Sequence, residues 1–316
     1  MFTISLNRCL LSRRQNLSKR YPAGIGRNGP SFSLPESDAG SLLDIGGARL
    51  SYQECGSGAC LLTFHGGLGL DHTYLRPWLD PLCASLRVVF HDLRGHGKSA
   101  GRETLESATH KTFIDDADLL RAQLGAERVA VFGHSYGGFL ALEYALRYPQ
   151  RVSALVLCAC SASLAHIAAS LEIARERATE QEYAALQQLL SRPAEDDAEF
   201  ARAWQVLVPL YFHNRDSAIA PFATTTFSAA AHNRGAFALL PSYDVSSRLH
   251  EISAPALVLS GRHDWLMPPH LAGAPLAAQL PAARHVVFEQ SGHFPFIEEN
   301  QSFTTTVREW FMEFHA

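Results

Sequence analysis

The stretch RVAVFGHSYGGFLALEYALRYP, residues 128–149, decides how the rest of the chain is read. Its first half is a short Val-rich run without polar alternation, the pattern of a strand buried on both faces. Its second half places apolar residues at helical spacing and is closed by Pro149. Between the halves stands Gly133-His134-Ser135-Tyr136-Gly137-Gly138, a G-x-S-x-G turn that follows a strand and opens a helix. Such a turn is tight, and side chains in place of its glycines would collide with the strand or the helix. It also aims the helix dipole and the first helical amides at the Ser135 hydroxyl. Ser135 is the candidate nucleophile.

Outward from this stretch the same kinds of segment recur. ACLLTFHGG (59–67), LRVVFHDLRGHG (86–97), RVSALVLCA (151–159), APALVLSGRHD (254–264) and ARHVVFEQSGH (283–293) are short apolar runs. Helical patterns lie between and after them, in DDADLLRAQLG (115–125) and EENQSFTTTVREWFMEF (298–314). LLDIGGARLSYQEC (42–55) reads as two strands around a Gly46-Gly47 turn. Strand alternating with helix predicts an α/β fold with a mostly parallel, doubly wound sheet begun by an antiparallel hairpin. Residues 161–250 break the rhythm with SLEIARERATEQEYAALQQLL and AWQVLVPLYF and carry no strong strand signal. They are expected to form a helical cap over the carboxyl ends of the strands, where ligands of open α/β sheets bind. The organisation expected is a basic extension over 1–41, a core made of 42–160 and 251–316, and a cap over 161–250.

Of the 316 residues 47% are hydrophobic and 18% charged, an ordinary globular composition. The 27 basic and 31 acidic side chains give a net charge of −4. Residues 1–35 hold six basic side chains (Arg8, Arg13, Arg14, Lys19, Arg20, Arg27) and no acid, which leaves 21 bases against 31 acids, or −10, for the remainder. That balance argues against nucleic acid or an anionic membrane as partner of the body. The Arg- and Ser-rich start reads as a flexible tail, as sequence upstream of the true start, or as an acid-poor targeting segment. It has no apolar core of a secretory signal, and no run of roughly 18 apolar residues suggests a membrane span. The six cysteines (Cys9, Cys55, Cys60, Cys83, Cys158, Cys160) lack the paired CxxC spacing of zinc sites, and a reduced, cytoplasmic setting is expected.

A serine hydroxyl is scarcely ionised at neutral pH and needs a base, which in turn needs an orienting acid. His293 and Asp264 each stand just past an apolar strand, at the end where Ser135 stands on its own. The position after strand 151–159 offers no competing acid, since Cys160, Ser161 and Ala162 occupy it. The Tyr136 amide, directly after the nucleophile, and the Gly67 amide of His65-Gly66-Gly67-Leu68-Gly69 are the candidate donors to a developing oxyanion. His65 and the loop Asp92-Leu93-Arg94-Gly95-His96-Gly97-Lys98-Ser99 read as structures that fix loops, and His134 reads as packing.

HGGLG, HDLRGHGKS, GHSYGG, GRHDWLMPP and SGHFPF, in this order over about residues 42–314, resemble the α/β-hydrolase superfamily. The resemblance is greatest to the branch of proline iminopeptidases and related carboxylesterases. It implies a Ser135–His293–Asp264 triad and hydrolysis of a small-molecule ester or amide through an acyl-enzyme, with neither metal nor organic cofactor. Iminopeptidases usually carry HGGPG, where this chain has Leu68, and a Trp-Glu pair in the cap that helps bind the substrate's amine. Here the corresponding run is Ala203-Trp204-Gln205-Val206-Leu207-Val208, without the acid. Glu195, Asp196, Asp197 and Glu199 are the nearby acids that could replace it. An unpaired ammonium in an apolar pocket is costly, so a carboxylesterase is the leading expectation and an iminopeptidase the alternative. Trp204, Tyr211, Phe212 and Trp265 are candidates to line the substrate pocket. Lactone opening, carbon–carbon bond hydrolysis and a non-catalytic ligand receptor are further alternatives, whereas dehalogenase and epoxide-hydrolase chemistry needs an aspartate at 135.

Overall fold

The computed structural model describes residues 40–218 and 220–315. The 1–41 extension therefore lies outside the described residues except for Gly40 and Ser41. Eight strands form one sheet: β1 (Ser41–Asp44), β2 (Arg49–Cys55), β3 (Ala59–Phe64), β4 (Leu86–His91), β5 (Val129–His134), β6 (Val152–Cys158), β7 (Ala256–Gly261) and β8 (Ala283–Phe288). Their spatial order is β1-β2-β4-β3-β5-β6-β7-β8. β1 pairs antiparallel with β2 and β2 antiparallel with β4, and every later pairing is parallel. The expected hairpin-led parallel sheet is thus present.

Alternate side chains of a strand face opposite sides of the sheet. Along β5, Val129 and Val131 enter one hydrophobic core while Ala130 and Phe132 enter the other. No position on β5 is left to solvent, which is why the run is continuously apolar. One core is closed by α1 (His110–Gln123), α2 (Tyr136–Arg147) and, beyond the segment that follows β6, α7 (Gly273–Gln279). The other is closed by the C-terminal helix, through Phe303, Val307 and Trp310.

Between β6 and β7 lie α3 (Ile167–Arg177), α4 (Glu180–Ser191), α5 (Asp197–Leu207) and α6 (Ala229–Arg234), with short 3-10 turns between α5 and α6 and a π-helical turn (Gly235–Leu239) directly after α6. α4 begins where a capping box predicts it, with Thr179 and Glu182 satisfying each other's main-chain N–H. An isolated antiparallel bridge between Ser163 and Asp244 ties the two ends of this segment together. Asp71, after β3, accepts from the Thr226 amide at 2.8 Å and its hydroxyl at 2.6 Å, fastening the segment to the sheet side. The chain ends in α8 (Pro295–Glu298) and α9 (Asn300–His315). No described helix is long and apolar enough to cross a membrane.

One expectation changes. Cys55 and Cys83 form a disulfide, so the cysteines are not all reduced as the sequence suggested. The pair lies 28 residues apart and has no local signature. Pairing of β2 with β4 sets Cys55 opposite Val88 and so brings it to the turn that precedes β4.

Candidate active site

β5 ends at His134 and α2 begins at Tyr136, so Ser135 alone makes the turn. It does so at φ 54° and ψ −120°, one of two non-glycine positions with positive φ among the described residues. Such a conformation costs about 1–3 kcal/mol and persists only where its surroundings enforce it. Here the Ser135 amide donates to the Cys158 carbonyl at 2.9 Å, and the Gly138 amide donates to the Ser135 carbonyl at 2.9 Å. Gly137 must lack a side chain, because a Cβ there would run into the carbonyls of Phe64 and His65.

His293, in the loop after β8, donates from Nδ1 to Asp264 Oδ2 at 2.7 Å, and both side chains are buried. The other Asp264 oxygen accepts the amides of Leu266 at 2.9 Å and Met267 at 3.0 Å. The carboxylate is thereby fixed at both oxygens, and the imidazole is fixed in the tautomer that leaves Nε2 as an acceptor. The His293 amide donates to the Tyr211 carbonyl at 2.7 Å.

Gly67 has φ +62° and lies beside Ser135 and Tyr136 in the wall of a cavity of about 270 Å3. The Tyr136 amide opens α2 and is one of the N–H groups that a helix leaves without an internal partner. The preceding loop runs very close to the turn, for a Cβ on Gly66 would lie 2.9 Å from Ser135 Cβ. His65 stands behind this loop, its Nδ1 bonded to the Gly66 carbonyl at 3.0 Å and its Nε2 accepting the Leu93 amide at 3.1 Å. Burial lowers the His65 pKa, so the ring is neutral in that role. Asp92 accepts from His72 Nδ1 at 2.6 Å and from the Lys98 amide at 2.9 Å, and Ser99 donates to the Asp92 carbonyl at 2.7 Å. Burial, the largest single influence, would raise the Asp92 pKa, but the hydrogen bonds from His72 and the electrostatic influence of the neighbouring rings together outweigh it and hold the carboxylate below its usual range.

The cavity contains Ser135 and His293 in its wall together with Trp204, Tyr211 and Trp265. Tyr211 connects these groups, with ring centroids 5.4 Å from Trp204, 5.1 Å from Trp265 and 5.3 Å from His293. Phe212 departs from the expectation: it does not line the cavity but stacks on Phe294 at 4.8 Å in the core. Leucines of the helical segment supply much of the remaining wall, among them Leu171, Leu186, Leu189 and Leu207. Sequence reasoning missed them, because an apolar helix face that lines a cavity has the same spacing as one that packs into a core. None of the described residues lining this cavity is Asp, Glu, Lys or Arg. The four candidate acids are engaged elsewhere. Asp196 caps α5 by accepting the Glu199 amide at 2.7 Å, Asp197 accepts the Ala229 amide at 2.8 Å, Glu199 bonds Arg192 and Gln188, and Glu195 lies 3.8 Å from Arg192.

Comparison with known proteins agrees with this architecture. A family model described as the alpha/beta hydrolase fold matches residues 60–300. The proline iminopeptidase PfmaB of Pestalotiopsis fici is 29% identical over 277 residues, covering 84% of this chain and 97% of that protein. An alpha/beta fold family hydrolase from Bacillus anthracis aligns with a TM-score of 0.71 at 20% identity, over 85% of this chain and 98% of that one. A thermophilic esterase from Thermogutta terrifontis aligns with a TM-score of 0.59 at 27% identity, over 85% of this chain and 95% of that one. The chain belongs to the α/β-hydrolase superfamily, and proline iminopeptidases are among the proteins it resembles.

Proposed function

We propose that this hydrolase is a carboxylesterase that acts on neutral, apolar small-molecule esters. Ser135 is the nucleophile, His293 the base, Asp264 the orienting acid, and the amides of Gly67 and Tyr136 the oxyanion donors. Ser135 Oγ attacks the ester carbonyl while His293 Nε2 takes the hydroxyl proton and then delivers it to the departing alcohol. Water, activated by the same imidazole, releases the acid from the acyl-enzyme. Residues 161–250 serve as the cap that shapes the pocket, through Trp204, Tyr211 and the leucines beside them.

The observation that carries this reading is the absence of any carboxylate from the described cavity wall that holds Ser135 and His293. An N-terminal proline presents a charged amine, and burying that charge without a partner is strongly unfavourable. A neutral ester makes no such demand. The iminopeptidase reading is supported by the resemblance of the motifs and by the names of several relatives, the one from Pestalotiopsis fici among them. Rates on p-nitrophenyl esters from acetate to decanoate, set beside proline p-nitroanilide, decide between the two. Faster turnover of the proline amide than of every ester would overturn the esterase reading.

A further inference from the structure

The segments that carry Gly67, Ser135 and His293 lie far apart in the chain, and one buried line of hydrogen bonds joins them. The Gly66 amide, next to Gly67, donates to the Tyr74 hydroxyl at 2.6 Å. That hydroxyl meets His134 Nδ1 at 2.8 Å, and His134, next to Ser135, meets the His293 carbonyl through Nε2 at 2.9 Å. Tyr74 and His134 are 0% and 1% exposed. The direction of each bond follows from chemistry. An amide only donates and a carbonyl only accepts, so the single hydroxyl proton goes to Nδ1 and the imidazole proton resides on Nε2. Burial lowers the His134 pKa far below its usual range, so the ring stays neutral and keeps this tautomer. It is also wedged in place, with ring centroids 4.9 Å from His293, 5.0 Å from Phe296 and 5.6 Å from Tyr74.

We propose that Tyr74 and His134 are positioning residues, whose relay holds the oxyanion loop, the nucleophile turn and the main chain of the base in one register. The proposal rests on the catalytic roles given above to Ser135, His293 and Gly67. Its physical content is that a shift of any one of these segments by about 1 Å costs roughly a hundredfold in rate. A merely space-filling His134 would need neither its proton on Nε2 nor a hydroxyl at Tyr74.

Variants of the full chain separate the two roles. His134→Gln keeps both links, its amide N–H donating to the His293 carbonyl and its amide oxygen accepting from Tyr74, whereas His134→Asn keeps a partner for Tyr74 but is too short to reach that carbonyl. His134→Gln is expected to retain kcat on a p-nitrophenyl ester within about threefold, and His134→Asn to lose about ten- to a hundredfold in kcat with KM changed less than about twofold. Tyr74→Phe is expected to lose about tenfold in kcat. Labelling of Ser135 by a fluorophosphonate should slow in parallel, with thermal melts showing which variants are folded. If the Asn variant does not fold, Tyr74→Phe against the native chain decides alone. Native kcat in the folded Asn and Phe variants, losses confined to KM, or equal losses in Gln and Asn would each overturn the relay. Ser135→Ala runs alongside as a control: if it stays active the catalytic assignment fails, and if it is inert while the relay variants are unaffected only the relay fails.

Discussion

The Tyr211 carbonyl accepts the His293 amide at 2.7 Å, so the main chain of the proposed base is tied to the helical segment between β6 and β7. Glu298 reinforces the tie, accepting the amides of Gly292 at 2.7 Å, His213 at 2.8 Å and Asn214 at 2.9 Å. A displacement of that segment is therefore also a displacement of the imidazole.

Glu298→Gln is expected to loosen this junction. One acceptor oxygen becomes a donor that faces main-chain N–H groups, which should cost about 1–3 kcal/mol of stability and lower kcat together with it. Thermal melts and steady-state rates check this, and a variant native in both would show that the junction does not position His293.

The triad assignment predicts unequal losses. Ser135→Ala and His293→Ala should each lower kcat on the order of 10^6-fold, and Asp264→Asn about 10^4-fold. The Asn side chain cannot hold the imidazole in the required tautomer but leaves the nucleophile in place. Comparable activity in any of the three, measured on a short aryl ester, would remove that residue from the mechanism.

Stability should fall steeply in mild acid. Burial lowers the pKa of His65, His91 and His134, that of His91 from 6.5 to about 3. The unfolded chain then binds protons that the native chain does not, so this contribution is complete above the ordinary histidine value and is lost as pH falls below it. For His91 the window runs from 6.5 down to about 3. Each such histidine adds up to about 1.4 kcal/mol per pH unit to the slope. Urea unfolding at pH 7.5, 6 and 5 measures it, and equal stability at the three would contradict the burial argument.

Neighbouring aromatics should separate cleanly in function. Phe212→Leu alters a stacked core ring and should lower stability by about 1–2 kcal/mol while leaving the preference among ester chain lengths unchanged. Trp204→Leu widens the cavity wall and should shift that preference toward longer or bulkier acyl groups. A changed preference in the Phe212 variant would place that ring at the site after all.

What could be read from the sequence was local in character. The elbow around Ser135, the strand ends that carry Asp264 and His293, and the hairpin before the sheet each announce themselves within about ten residues. Tyr211 stands out in the sequence because it is aromatic, but nothing there separates it from its neighbour Phe212, although the two rings diverge, one toward His293 and one onto Phe294. Tyr74 sits in a 3-10 turn with no pattern around it, and its importance arises only from partners 8 and 60 positions away. α7 carries no helical signal in the sequence, because Gly273 and Pro275 within it read as breakers. The Cys55–Cys83 bond likewise depends on a strand pairing that no short window contains.

The uncharged cavity has a consequence for what leaves it. The ester proposed as substrate would enter as a neutral molecule, but the acid set free would be an anion at neutral pH, and the described wall carries no Lys or Arg in exchange for its hydration. On the esterase proposal, the pocket would favour the reactant over the product. Inhibition by the free acid should be weak at pH 7 and should strengthen as the medium approaches the acid's own pKa, where the neutral form returns.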